Sequence, residues 1–108
     1  MKKVLIADDE ILVRVGLKSA VNWEENGYIV VAEAKNGKEA IAMFDKYSPD
    51  ILITDISMPY MNGLELIQEL KAKKQSLKII ILTHYDEFSY AQEAVELGVR
   101  SEEHTSEL

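Results

Sequence analysis

A chain of 108 residues suits one domain and leaves little room for a second. Hydrophobic residues make up 47% and charged residues 29%, which excludes a disordered or fibrous chain, and without cysteine there is neither a disulfide nor a thiolate metal site. Only 12 Lys and Arg stand against 19 Asp and Glu, and the net charge of −7 argues against nucleic-acid binding by this chain, because phosphate contacts need a basic surface.

From the N-terminus, Val4-Leu5-Ile6-Ala7 reads as a buried strand. Behind Met1-Lys2-Lys3 this run is too short for a secretory signal, and Asp8-Asp9-Glu10 ends it at once. No later stretch approaches the length of a membrane span, so the expected compartment is the cytoplasm, with no membrane partner. Residues 11–21 read as a helix, and Asn26-Gly27 turns the chain into a second strand, Tyr28-Ile29-Val30-Val31-Ala32. Asn36 is the expected N-cap of a helix that carries Ala40, Phe44 and Tyr47 on one face. Ser48-Pro49-Asp50 breaks it and delivers the third strand, Ile51-Leu52-Ile53-Thr54. A loop with Pro59 and Gly63 leads to a helix over 64–73, pairing Leu64 with Ile67 and Leu66 with Leu70. Ile79-Ile80-Ile81-Leu82 is the fourth strand, and Asp86 caps a last helix with Ala91, Ala94 and Val95 inward and Gly98 at its end.

Strands that are apolar throughout, each followed by a helix, predict an α/β fold with a flavodoxin-like, doubly wound parallel sheet. The expected strand order is 2-1-3-4, with the fifth strand and fifth helix that normally close such a sheet missing. The fourth strand would then be an unprotected edge, and the chain prone to association.

Ligands of open parallel sheets bind at the carboxyl ends of the strands. Asp8 and Asp9 follow the first strand, Asp55 ends the third, and Thr83 ends the fourth, so all four would face one crevice. Three carboxylates at close range repel unless a cation intervenes, and oxygen-only ligands favour a hard ion, magnesium above calcium. An aspartate oxygen could then attack a phosphoryl donor while the Thr83 hydroxyl bonds the transferred group. The competing reading is local: Asp8 or Asp9 caps the first helix, with Glu10 in its first turn. Trp23 reads as packing over the end of that helix, His84 as an exposed loop residue, and Lys71, Lys73 and Lys74 as a solvated helix end.

Three segments, Val4-Leu5-Ile6-Ala7-Asp8-Asp9-Glu10, Asp50-Ile51-Leu52-Ile53-Thr54-Asp55-Ile56-Ser57-Met58-Pro59 and Asn62-Gly63-Leu64-Glu65, resemble the signature segments of bacterial response-regulator receiver domains. The resemblance covers residues 1–99. It implies that Asp55 is the phospho-acceptor, that Asp9 and Asp55 bind Mg2+ with help from Asp8 and the Ser57 carbonyl, and that Thr83 is the switch hydroxyl. The implied partner is a sensor histidine kinase. The implied role is signal transfer rather than enzymatic turnover. A finer resemblance lies in Val21-Asn22-Trp23-Glu24-Glu25-Asn26-Gly27-Tyr28 and His84-Tyr85-Asp86-Glu87-Phe88-Ser89-Tyr90-Ala91, which are similar to receivers that precede AraC-type helix-turn-helix outputs. DNA binding would then belong to a parent protein, and whether that parent forms a homodimer is left open.

After Leu97-Gly98-Val99 the chain departs from the family. Spacing places the family's aromatic switch residue at Glu102 and its lysine at Thr105, and neither residue type is there. Residues 100–108 are polar, lack a strand pattern, and repeat the in-frame translation of the sequencing-library adapter AGATCGGAAGAGCACACGTCTGAACTC; they read as a non-native tail. Without the lysine, phosphorylation is expected to be slower, and without the aromatic the switch uncoupled. Two other functions stay open on the residues: a metal-dependent phosphohydrolase or nuclease, which would need a general acid or further carboxylates where the loop offers only Ser57, Met58, Pro59 and Tyr60, and a receiver-shaped binding module that is never phosphorylated.

Overall fold

Period-two alternation along the strands builds two cores, one on each face of a sheet. The computed structural model describes residues 1–56, 58, 60–82 and 105–107. In β1 (Lys2–Ala7), Val4 and Ile6 turn to one face and Leu5 and Ala7 to the other. In β3 (Ile51–Asp55), Ile51 and Ile53 oppose Leu52, and in β4 (Lys78–Leu82), Ile80 and Leu82 oppose Ile79 and Ile81. Strands buried on both faces must be covered on both faces. Helix α1 (Ile11–Ala20) covers the first through Leu17, with Val21, Trp23 and Tyr28 beside it. Helices α2 (Gly37–Tyr47) and α3 (Gly63–Lys73) cover the second through Ala40, Phe44, Leu66 and Leu70.

The sheet order is β2-β1-β3-β4-β5, with β2 at Tyr28–Ala34 and every pairing parallel. The flavodoxin-like order expected for the first four strands is therefore found. The absence of a fifth strand is not: β5 (Thr105–Glu107) runs beside β4, with Ile79 opposite Thr105 and Ile81 opposite Glu107. The outer main chain of β4 offers a row of N–H and C=O groups, and a parallel ladder needs only an extended backbone, whatever the side chains. So a polar segment without a strand pattern forms this strand, and β4 is not a bare edge over Ile79–Ile81. The fifth helix has no counterpart among the described residues. The expected last helix over 86–98 lies outside them, as do Ser57, Thr83 and His84.

Local signals explain where the helices start and stop. The Asn36 side chain accepts a hydrogen bond from the Glu39 N–H (2.8 Å), as expected of an N-cap. Ser48 ends α2 in a left-handed conformation (φ 46°), and Pro49 forbids continuation. α3 starts at Gly63, and Leu64 points outward, so of the two expected pairs only Leu66 and Leu70 are buried in the core. Trp23 is buried as expected, and its Nε1 has no hydrogen-bond partner among the described residues.

Of the three lysines at the end of α3, Lys73 is exposed as expected, whereas Lys71 and Lys74 are half-buried and bonded to backbone carbonyls. Lys71 Nζ donates to the Gln75 and Leu77 carbonyls, and Lys74 Nζ to the Ser48 and Pro49 carbonyls. Lys74 also pairs with Asp50 at 3.4 Å, tying the end of α3 to the start of β3.

Candidate functional site

Parallel pairing of β1 and β3 sets Ala7 opposite Thr54, so the residues that leave β1 emerge beside the end of β3. One carboxylate oxygen from each of Asp8, Asp9 and Asp55 lies within 4.8 Å of the other two. Asp8 is buried, Asp55 half-buried and Asp9 exposed, so the cluster opens to solvent on the Asp9 side.

Asp8 and the end of β3 are held by hydrogen bonds. The Asp8 N–H donates to the Ala34 carbonyl of β2 (3.0 Å), and the Asp8 Oδ1 accepts from the Glu10 N–H (2.9 Å). That second bond closes a turn ahead of α1 and is not the expected cap: Glu10 itself takes the N-cap position, without a side-chain cap bond, and no acid lies in the first turn. One oxygen fixes the turn, and the residue still reaches the cluster. At Asp55 the carbonyl accepts from the Thr54 hydroxyl (2.9 Å). The Gly63 N–H donates to the Ile56 carbonyl (2.7 Å), pulling the start of α3 onto the end of β3. Between them Met58 is buried in the α2–α3 core, anchoring the loop.

Behind the cluster lies a charge network absent from the sequence reading. Arg14 Nη1 donates to the Asp8 carbonyl (2.7 Å), Arg14 Nε meets Glu33 Oε1 (3.1 Å), and Lys18 pairs with Glu33 Oε2. Burial alone would raise the Glu33 pKa, but its hydrogen bonds and charge pairing with Lys18 and Arg14 outweigh that and hold it below the usual carboxylate range. The available signal is a charged residue inside an apolar strand, and ending the second strand at Ala32 hides it, because β2 runs on to Ala34.

The donor set fits a hard divalent cation. Two ligands of one Mg2+ lie at most about 4.2 Å apart at bond lengths near 2.1 Å, so oxygens gathered within 4.8 Å need only small rotations or a bridging water. Such an ion would also relieve the mutual repulsion of the carboxylates.

The family model of the response regulator receiver domain matches residues 4–101. The chain belongs to this family. Among curated relatives, the receiver is 44% identical over 100 residues to the transcriptional regulatory protein YdfI of Bacillus subtilis, covering 93% of this chain and 46% of that protein. The chain spans about a quarter to a half of the length of such relatives, from 27% to 46%. Among solved structures it is similar to the REC domain of AraT, a response regulator from Geobacillus stearothermophilus, with a TM-score of 0.76 and 42% identity over 98% of this chain and 80% of that one. It is also similar to the isolated REC domain of RcsB from Salmonella enterica, determined with the phosphomimetic BeF3−, with a TM-score of 0.68 and 32% identity over 88% and 72% of the two chains. Phosphorylation on an aspartate is the general function of this family.

Proposed function

We propose that this receiver accepts a phosphoryl group on Asp55, with Mg2+ held by Asp8, Asp9 and Asp55. The observation that carries the proposal is the meeting of the three carboxylates within 4.8 Å at the ends of neighbouring parallel strands. Asp55 acts as nucleophile: a carboxylate oxygen attacks phosphorus, and an acyl phosphate forms as the bond to the donor breaks. When bound, Mg2+ neutralises charge on the phosphoryl oxygens. The carbonyl of Ser57 and the hydroxyl of Thr83 complete the proposed site, by family resemblance.

The donor on this reading is a sensor histidine kinase in the cytoplasm, and the chain is a phosphorylated signal carrier, not an enzyme that turns over a substrate. A protein donor is supported by exposed apolar side chains that follow β1 and β3, namely Ile11 (62% exposed) and Leu12 (78%) at the start of α1, Tyr60 (91%) in the loop after β3 and Leu64 (53%) in the first turn of α3. The receiver's likeness to transcriptional regulators supports a DNA-binding output in a parent protein, while this acidic chain itself binds no nucleic acid. No helix among the described residues is long and apolar enough to cross a membrane. Residues 100–108 are proposed to be non-native, the receiver proper being residues 1–99. Sequencing genomic DNA across Val99-Arg100 checks this, and an uninterrupted gene with the same codons refutes it.

The test of the acid site is intact-mass analysis after incubation with acetyl phosphate and MgCl2. The expected result is a single Mg2+-dependent phosphoryl adduct that is lost in Asp55→Asn. No adduct on a folded chain, or one that survives in Asp55→Asn, rejects Asp55 as the acceptor.

A further inference from the structure

The peptide plane between Asp8 and Asp9 carries the Cα atoms of both residues, so whatever orients its carbonyl orients the roots of two of the three carboxylates. That carbonyl accepts from Arg14 Nη1 at 2.7 Å. Arg14 projects from the second turn of α1 with only 13% of its side chain exposed, and its Nε is bonded to Glu33 Oε1 at 3.1 Å. Glu33 belongs to β2, and its second oxygen is occupied by Lys18. The Asp8 N–H is bonded to Ala34 of the same strand. Asp8 is thus fixed to β2 twice, directly through its N–H and through the Arg14 guanidinium at its carbonyl.

We infer that Arg14, braced by Glu33, is a positioning residue that presets the Asp8–Asp9 peptide for cation binding. The inference rests on the reading of the acid cluster as a cation site. Arginine suits the task because its planar fork donates in two fixed directions at once, whereas a lysine ammonium is one compact charge on a flexible stem. Groups that orient a metal's ligands change affinity by about 10–100-fold when removed. The effect belongs to the binding of the ion, so the phosphorylation plateau at saturating Mg2+ is retained.

The experiment is a calorimetric Mg2+ titration of the full chain and of Arg14→Gln, Arg14→Lys and Glu33→Gln, with urea unfolding of each. Phosphoryl acceptance from acetyl phosphate is followed as Mg2+ is varied. Arg14→Gln is expected to weaken Mg2+ binding about tenfold or more. Arg14→Lys should weaken it nearly as much despite keeping the charge, and Glu33→Gln to a lesser extent. The half-saturating Mg2+ for phosphorylation moves by the same factor while its plateau holds. Lys73→Gln, which removes a surface ion pair with Asp45, leaves Mg2+ affinity unchanged. If the folded variants bind Mg2+ within twofold of the parent chain, Arg14 is only a strut between α1 and β2, and the inference is overturned, whatever the unfolding curves show. Should Arg14→Gln not fold, Arg14→Lys and Glu33→Gln decide the matter. If the parent chain itself binds no Mg2+, the cation-site reading fails first and takes this inference with it.

Discussion

At Gly63 the space for a side chain is already taken by the backbone of the acid site. A Cβ there would lie 2.2 Å from the Asp55 carbonyl oxygen and 2.9 Å from the Ile56 Cα, closer than real contacts allow. Both neighbours are backbone, so Gly63→Ala can be accommodated only by moving the end of β3 or the start of α3. The expected cost is about 1–3 kcal/mol in urea unfolding, typical of forcing a methyl group into packed structure. Because the nearest displaced atom is the Asp55 carbonyl oxygen, acceptance of a phosphoryl group should fall even where the chain stays folded. Gly27 supplies the contrast. Its φ of +87° is left-handed, and a methyl group there would meet nothing within 4 Å, so Gly27→Ala should cost roughly 1–2 kcal/mol of backbone strain and spare phosphorylation. Equal losses of acceptance in both variants, measured by intact mass, would show that Gly63 has no special link to Asp55.

The start of α3 is set by a reciprocal pair. Asn62 Oδ1 accepts from the Glu65 N–H (2.9 Å), and Glu65 Oε1 accepts from the Asn62 N–H (3.0 Å). Asn62→Ala should therefore destabilise the chain by about 1 kcal/mol, read as a lower urea midpoint, and fray the first turn that bears on Asp55. An unchanged midpoint would mean that Gly63 packing alone anchors this end. Much of this level was legible in the sequence. Apolar runs marked the strands because each is buried on both faces, and Asn36 announced its helix by the hydrogen bond it makes. The acid cluster was legible because strand ends and strand order together place Asp8, Asp9 and Asp55. What escaped was tertiary or carried by the backbone. Leu64 fits a helical stripe, but the cap at Asn62 phases it outward. Lys71 and Lys74 look like solvent-facing charges until the carbonyls they bind are brought near by the fold. β5 has no side-chain signature because its ladder is made of main chain, and Arg14 meets Glu33 only after α1 packs against β2.

For the molecule as a whole, charge sets stability in two opposing ways. Glu33 and Asp50 are held below the usual carboxylate range by their partners. At Asp50 burial pulls the other way but is outweighed by the Lys3 N–H and the charges of Lys74 and Lys2. A folded pKa below the unfolded one adds stability that is present above about pH 4 and lost as pH falls through the folded value. Urea midpoints should thus drop on acidification below that point, and Asp50→Asn should flatten the drop; the same slope in both chains would assign the loss to other carboxylates. The acid cluster acts in the other direction, since Asp8, Asp9 and Asp55 crowd like charges within 4.8 Å on a chain of net charge −7. Relief of that repulsion by a bound ion appears as folding free energy, because the unfolded chain has no assembled site. At ten times its Kd, Mg2+ should add about 1.4 kcal/mol, which for a domain of this size raises the Tm by roughly 6–10 °C. Asp9→Asn makes two predictions at once: without Mg2+ it should melt above the parent chain, having lost one repelling charge, and with Mg2+ it should gain little. Sodium chloride at matched ionic strength separates a bound ion from general screening, which acts on exposed charges of either sign. If sodium raises the melting temperature as far as magnesium does, the three aspartates share an acidic surface and not an ion.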